Sequence, residues 1–145
     1  MSKRHGFTLV ELVVVVMILE ILAAVAVPQL LSTSSTATDN GLRQTLSIIR
    51  DAIDRYAAEN QGSPPRTDSE DNFRADVKLY LRAGFPACPV GAKNNQIAFV
   101  AAGSGTFEGE DSPDKGWKVN SDTGEIIINY NAQLKSETGV NYDDL

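Results

Sequence analysis

The feature that most constrains this chain is an apolar run near its start. From Phe7 to Val27 only Thr8, Glu11 and Glu20 are polar among 21 residues. As a helix rising 1.5 Å per residue, that run spans roughly 32 Å, close to the ~30 Å hydrocarbon thickness of a bilayer. Lys3, Arg4 and His5 precede it with no acidic residue between. By the positive-inside rule this keeps the N-terminus cytoplasmic and carries whatever follows Leu31 across. A conventional secretory signal does not fit, because its apolar core covers only about 7–15 residues with a small-residue cleavage site beyond it. Here Ala23–Ala26 still lies inside the run. An ordinary signal anchor fits the length but leaves the carboxylates unexplained. One ionised acid at mid-membrane costs about 2.5–3.5 kcal/mol on insertion scales, so Glu11 and Glu20 call for a partner or a function.

The residues Lys3-Arg4-His5-Gly6-Phe7-Thr8-Leu9-Val10-Glu11-Leu12, continued by Ile21-Leu22-Ala23-Ala24-Val25-Ala26-Val27-Pro28, account for these features together. This stretch resembles the class III signal of type IV prepilins and type II secretion pseudopilins. The resemblance is dense over about 28 residues and holds only in outline beyond them. It implies that a prepilin peptidase cuts between Gly6 and Phe7 and then methylates the amine of Phe7. Glycine suits such a cut because no side chain obstructs an extended backbone in a peptidase cleft. It also implies a subunit-assembly role for Glu11 and Pro28. A buried carboxylate is costly alone, and the cationic amine of a neighbouring subunit offsets that cost. Pro28 lacks an N–H and clashes with the carbonyl four residues earlier, so the helix is expected to kink or loosen there. Glu20 departs from the family pattern. Nine residues from Glu11, or about 900° of helix, it faces the opposite way and cannot share the same amine.

Three segments are expected: a cleaved basic leader (1–6), a transmembrane and assembly helix (7–31), and an outward-facing globular domain (32–145). The roughly 114 residues after Leu31 suffice for one modest core. Ser32–Thr36 is a run of poor helix formers, either a short linker or a continuation of the same helix. Leu42, Leu46, Ile49, Ile53 and Tyr56 then recur at helical spacing, marking an amphipathic helix from about Ala37 to Asn60. Pro64 and Pro65 close it. A second short helix is expected over Ser69–Arg82 and a turn-rich loop over Gly84–Gly91. Strands are expected over Gln96–Ala101, Gly116–Asn120 and Glu125–Tyr130, the last two a hairpin with Trp117 packed on the helical stripe. The fold class is α+β and pilin-like, a long N-terminal helix laid on a small antiparallel sheet. The tail from Lys135 to Leu145 shows no periodicity and is expected to be loosely held.

Charge and composition narrow the function further. With 13 basic and 19 acidic residues the chain carries −6, which argues against nucleic acid as the main partner, since phosphate contacts need clustered Lys and Arg. The single cysteine, Cys88, forbids an intrachain disulfide and reads as a buried small apolar residue. The single histidine, His5, leaves with the leader. A processed chain therefore has no Ser–His or Cys–His pair, and no carboxylate pair of defined separation replaces them. The chain is not expected to be an enzyme. Glu110, Asp111 and Asp114, in an acidic Gly-rich segment, are calcium candidates by residue type. They match neither the family's calcium loop nor EF-hand spacing, so a solvated loop without cofactor is the preferred reading.

The resemblance thus implies a structural subunit of a membrane-anchored helical fibre, with a type II secretion pseudopilin favoured. The alternatives are a type IV pilus subunit for adhesion, motility or DNA uptake, and a monomeric single-pass binding protein. The latter leaves Gly6-Phe7 and Glu11 without a purpose. Implied partners are the prepilin peptidase, copies of the chain and other pilin-like subunits, a secretion or pilus assembly platform, and the membrane. The implied location is the bacterial inner membrane, with the globular domain periplasmic or in an extracellular fibre.

Overall fold

A computed structural model describes residues 6–101, 103 and 106–145. Lys3, Arg4 and His5 of the leader lie outside the described residues. One helix dominates: α1, Leu9–Glu59, 51 residues long, about 77 Å end to end. It runs without interruption through Pro28 and through Ser32–Thr36, so the polar run is a continuation and not a linker. Side-chain hydroxyls explain how poor helix formers are accommodated. Thr33, Ser35, Thr36 and Thr38 each donate to the carbonyl four residues earlier, at 2.9–3.1 Å. Such back-bonding satisfies the hydroxyl inside the helix and tends to bend it. Pro28 removes one intrahelical donor, opposite the Ala24 carbonyl.

The lower half of α1 behaves as its periodicity predicts. Leu42, Leu46, Ile49, Ala52 and Ile53 are buried in a single core with Phe73, Val77, Trp117, Val119, Ile126 and Ile128. Tyr56 is half-buried, its ring edge-on to Tyr80. The helix ends where Asn60 folds back onto the carbonyls of Tyr56 and Ala57. Helix α2, Glu70–Val77, is capped by Ser69 and followed by a single 3-10 turn, Lys78–Tyr80. Arg66 clamps α2 through two side-chain bonds to Asp76, at 2.7 and 3.0 Å.

Three short strands follow: β1 Ile97–Val100, β2 Trp117–Asn120 and β3 Ile126–Ile128, ordered β1-β2-β3. The hairpin β2–β3 is antiparallel, as expected, with Trp117 opposite Ile128 and Val119 opposite Ile126. These four side chains share the face that meets the helical stripe. Gly124 closes the turn at φ 73°, and a Cβ there would lie 2.8 Å from Pro64 Cβ. The sheet as a whole is mixed, because β1 pairs with β2 in parallel. A parallel neighbour requires a connection of a dozen or more residues, and the acidic Gly-rich segment between Val100 and Trp117 supplies that length.

The tail departs from expectation. Far from loose, it is clasped to α1 by polar contacts that leave no periodic signature. Asp39, buried, accepts the Ser136 amide at 2.9 Å and the Tyr142 hydroxyl at 2.9 Å. Arg43 pairs with Glu137 at 2.7 Å, and Arg50 donates to the Leu145 carbonyl at 2.8 Å and to Ile126 O at 3.1 Å. Leu134 and Tyr142 are buried, and Gln133 bridges Asn141.

Burial pushes the Asp39 carboxyl up, but the hydrogen bonds from Ser136 and Tyr142 outweigh it and the net shift is downward. A depressed folded pKa gives stability that is full above the ordinary carboxylate value near 3.9 and is lost as pH falls through the folded value. Asp39→Asn keeps an acceptor for the Ser136 N–H but removes the charge and sets an NH2 against the Tyr142 hydroxyl, and is expected to cost about 1–3 kcal/mol at neutral pH. Thermal melts of the full chain in detergent should show that gap narrowing below about pH 4. A gap independent of pH would mean that Asp39 acts by shape alone.

Candidate assembly site at the helix N-terminus

The first turn of α1 is built by a reciprocal cap. Thr8, in extended conformation, accepts the Glu11 amide on Oγ1 at 3.2 Å. Glu11 Oε2 in turn accepts the Thr8 amide and the Thr8 hydroxyl, each at 3.0 Å. This capping box satisfies two backbone donors that would otherwise be orphaned at the helix start. The helix dipole also favours a negative charge at that end. The Thr-x-x-Glu spacing was legible in the sequence, but the cap itself went unread beside the charge of Glu11.

Gly6 and Phe7 precede the cap, outside the helix, and Phe7 is 84% exposed. A Cβ on Gly6 would meet nothing within 4 Å. The fold therefore makes no demand for glycine at that position, and any such demand comes from a partner that grips the backbone. Glu11, Glu20 and Pro28 are all exposed along a helix whose apolar half exposes Leu9, Val10, Leu12, Leu19, Leu22 and Leu30 in turn. That half of α1 is long and apolar enough to cross a membrane.

The calcium candidates are dispersed. Glu110 Oε1 lies 3.1 Å from the Lys118 ammonium, which also donates to Glu108 O at 2.8 Å. Asp111 faces a cleft near the base of the domain, and Asp114 contributes its backbone carbonyl to Asn94. Among the described residues no group of three or more metal-ligating side chains converges. Lys118, which sequence reasoning overlooked, projects from the outer face of β2 with its side chain only 11% exposed. It pins the acidic segment over the sheet, helped by Gly109, whose amide donates to Asp143 at 2.7 Å. Cys88 is buried and free, and burial pushes its thiol up to about 11, so it stays protonated at neutral pH.

These features define a class: an α+β domain carried on one continuous helix whose apolar half is presented bare. Comparison with known proteins shows what such a chain is similar to. Residues 1–27 match the model of the prokaryotic N-terminal methylation motif. The chain is 33% identical over 66 residues to competence protein ComGC of Halalkalibacterium halodurans, covering 46% of this chain and 65% of that protein. It is 40% identical over 62 residues to type II secretion system core protein G of Pseudomonas aeruginosa, covering 43% and 44%. Both alignments thus span less than two thirds of the relative. Core protein G of Vibrio cholerae aligns nearly end to end, 28% identical over 140 residues, covering 92% and 96%. No solved structure gives a significant match. The chain thus carries the prokaryotic N-terminal methylation motif and is similar to type II secretion core proteins G and to a competence protein.

Lys118 already supplies a cation to the acidic segment, so added calcium is expected to leave the melting temperature of the full chain unchanged. Lys118→Met strands the Glu108 carbonyl and should cost about 1–3 kcal/mol. A calcium-dependent rise in melting temperature, abolished by Glu110→Gln, would overturn this assignment.

Proposed function

We propose that this chain is a structural, non-catalytic subunit of a membrane-anchored helical fibre, most closely of the type II secretion pseudopilin kind. The observation that carries this reading is the N-terminal motif joined to a near end-to-end similarity with a core protein G. In this reading residues 1–6 are a leader removed by prepilin peptidase at Gly6–Phe7, and the amine of Phe7 is methylated. Residues 7–31 anchor the subunit in the inner membrane with the leader cytoplasmic. Residues 32–145 form the periplasmic domain, although no break in α1 separates the two. Glu11 pairs with the amine of a neighbouring subunit and so sets the register of addition. Pro28 loosens the helix where it enters the fibre. Partners are copies of the chain, other pilin-like subunits and an assembly platform.

A second reading, a type IV pilus subunit, is favoured by the similarity to type IV wide pilus major component PilA4 of Thermus thermophilus, 28% identical over 130 residues and covering 83% of this chain and 92% of that protein. Both readings share the same processing and the same use of Glu11. They differ in fibre length and in which platform extends the fibre.

Intact mass of the membrane-extracted protein should correspond to a chain beginning at Phe7 with one added methyl group. A chain beginning at Met1 or Ser2, from cells with active prepilin peptidase, would remove the processing step and with it the assembly reading. Glu11→Ala should be cleaved normally yet enter the fibre at least about tenfold less efficiently, as befits loss of a buried charge partner. Wild-type incorporation of that variant would overturn the role given to Glu11.

A further inference from the structure

Where α1 enters the globular domain, a cavity of about 550 Å³ opens between residues 34–39 of the helix, the loop at 89–93, the segment at 111–113 and the clasped tail. Its lining is mixed, with Lys93, Lys135, Asp111 and Ser112 beside Pro113 and Tyr130. Neither lysine ammonium forms an ion pair among the described residues. The carboxylate of Asp39 also lines the cleft, held in place by Ser136 and Tyr142, so the lining carries two cations and two anions. Asp111 is left as the acid exposed in the cleft.

Position narrows the ligand. With the hydrocarbon edge at Val27, residues 34–39 stand roughly 10–18 Å further along the helix. The headgroup layer occupies about 5–8 Å of that distance, and helix tilt of about 20° lowers one side of the domain toward it. Snorkelling lysine side chains lining the cleft would close part of the remaining distance to the lipid phosphates. A free anion is repelled by a chain of net charge −6. A lipid phosphate is held at the cleft by its own acyl chains.

Building on the membrane-anchored reading, we infer that this cleft binds a phospholipid headgroup. Lys93 and Lys135 take the phosphate diester, the hydroxyls of Ser34 and Ser112 line its rim, and Asp111 receives a primary amine. Phosphatidylethanolamine carries both groups and is the preferred headgroup. The site acts on the membrane-resident subunit before assembly, orienting the domain against the bilayer.

The test uses the full chain reconstituted into vesicles of phosphatidylethanolamine, phosphatidylglycerol and phosphatidylcholine in equal parts, then released for native mass spectrometry. The wild type should retain phosphatidylethanolamine selectively. Lys93→Gln with Lys135→Gln should reduce that retention about tenfold. Lys78→Gln with Arg82→Gln, a charge-matched control at exposed positions outside the cleft lining, should leave it unchanged. Equal retention by wild type and cleft variant, or equal loss in both variants, overturns the inference while the anchor reading stands. Soluble phosphoethanolamine binding as tightly as the lipid would reassign the cleft to a free phosphate and also overturn it. Failure of the chain to enter vesicles at all would overturn the anchor reading together with this one.

Discussion

Everything in this molecule depends on one helix that must satisfy two solvents. Its first half presents apolar side chains on every face, which only hydrocarbon or other apolar helices can accept. Its second half presents one apolar stripe, which an aqueous domain core can cover. Between them lies a run of poor helix formers that the chain nonetheless keeps helical. The hydroxyls of Thr33, Ser35, Thr36 and Thr38 turn onto the carbonyls of the preceding turn, which satisfies them inside the helix without breaking it at this junction. The helix therefore transmits position from membrane to domain as a single element.

The domain's attachment to that helix has an apolar part and a polar part, and only the first was legible in the sequence. Leu42, Leu46, Ile49 and Ile53 repeat at helical spacing, and the β2–β3 hairpin shows alternation around a Gly turn, so core and hairpin follow from pattern. The tail gives no pattern because its anchors are single polar residues nearly a hundred positions from their partners. Asp39 reads as one more charge on a helix, and only tertiary structure places Ser136 and Tyr142 upon it. The parallel pairing of β1 escaped notice for a related reason. Strand pattern carries no direction, and the long connection after Val100 permits either sense.

The acidic segment shows how residue type misleads when geometry is unknown. Glu108, Glu110, Asp111 and Asp114 lie close in sequence and suggest a cation site, yet they point to different places. Lys118 Nζ meets the Glu110 carboxylate and the Glu108 carbonyl, so the cation is a side chain of the adjacent strand. Ile127 and Asn129, which alternate with the core-facing residues of β3, are buried as well. A three-stranded sheet this short needs cover on both faces, and the connection that permits parallel pairing provides it. Gly109 makes the close approach possible, since a Cβ there would lie 2.7 Å from the Tyr130 backbone.

The capping box alters the energetic argument for the proposed pairing of Glu11. A bare carboxylate in hydrocarbon would gain most from any cation, whatever its direction of approach. Here Oε2 already accepts two hydrogen bonds from Thr8, so part of the desolvation cost is met within the same chain. What remains uncompensated is the net charge, held in a fixed orientation by the first helical turn. Pairing with a neighbour's amine then yields less raw energy than a bare carboxylate would. It discriminates more sharply between registers, because the carboxylate no longer rotates to meet a misplaced partner. For a fibre that adds subunits one at a time, that trade favours accuracy over affinity. In the proposed fibre, adhesion between subunits falls to the apolar faces of the helices, and Glu11 would set where along those faces they stop.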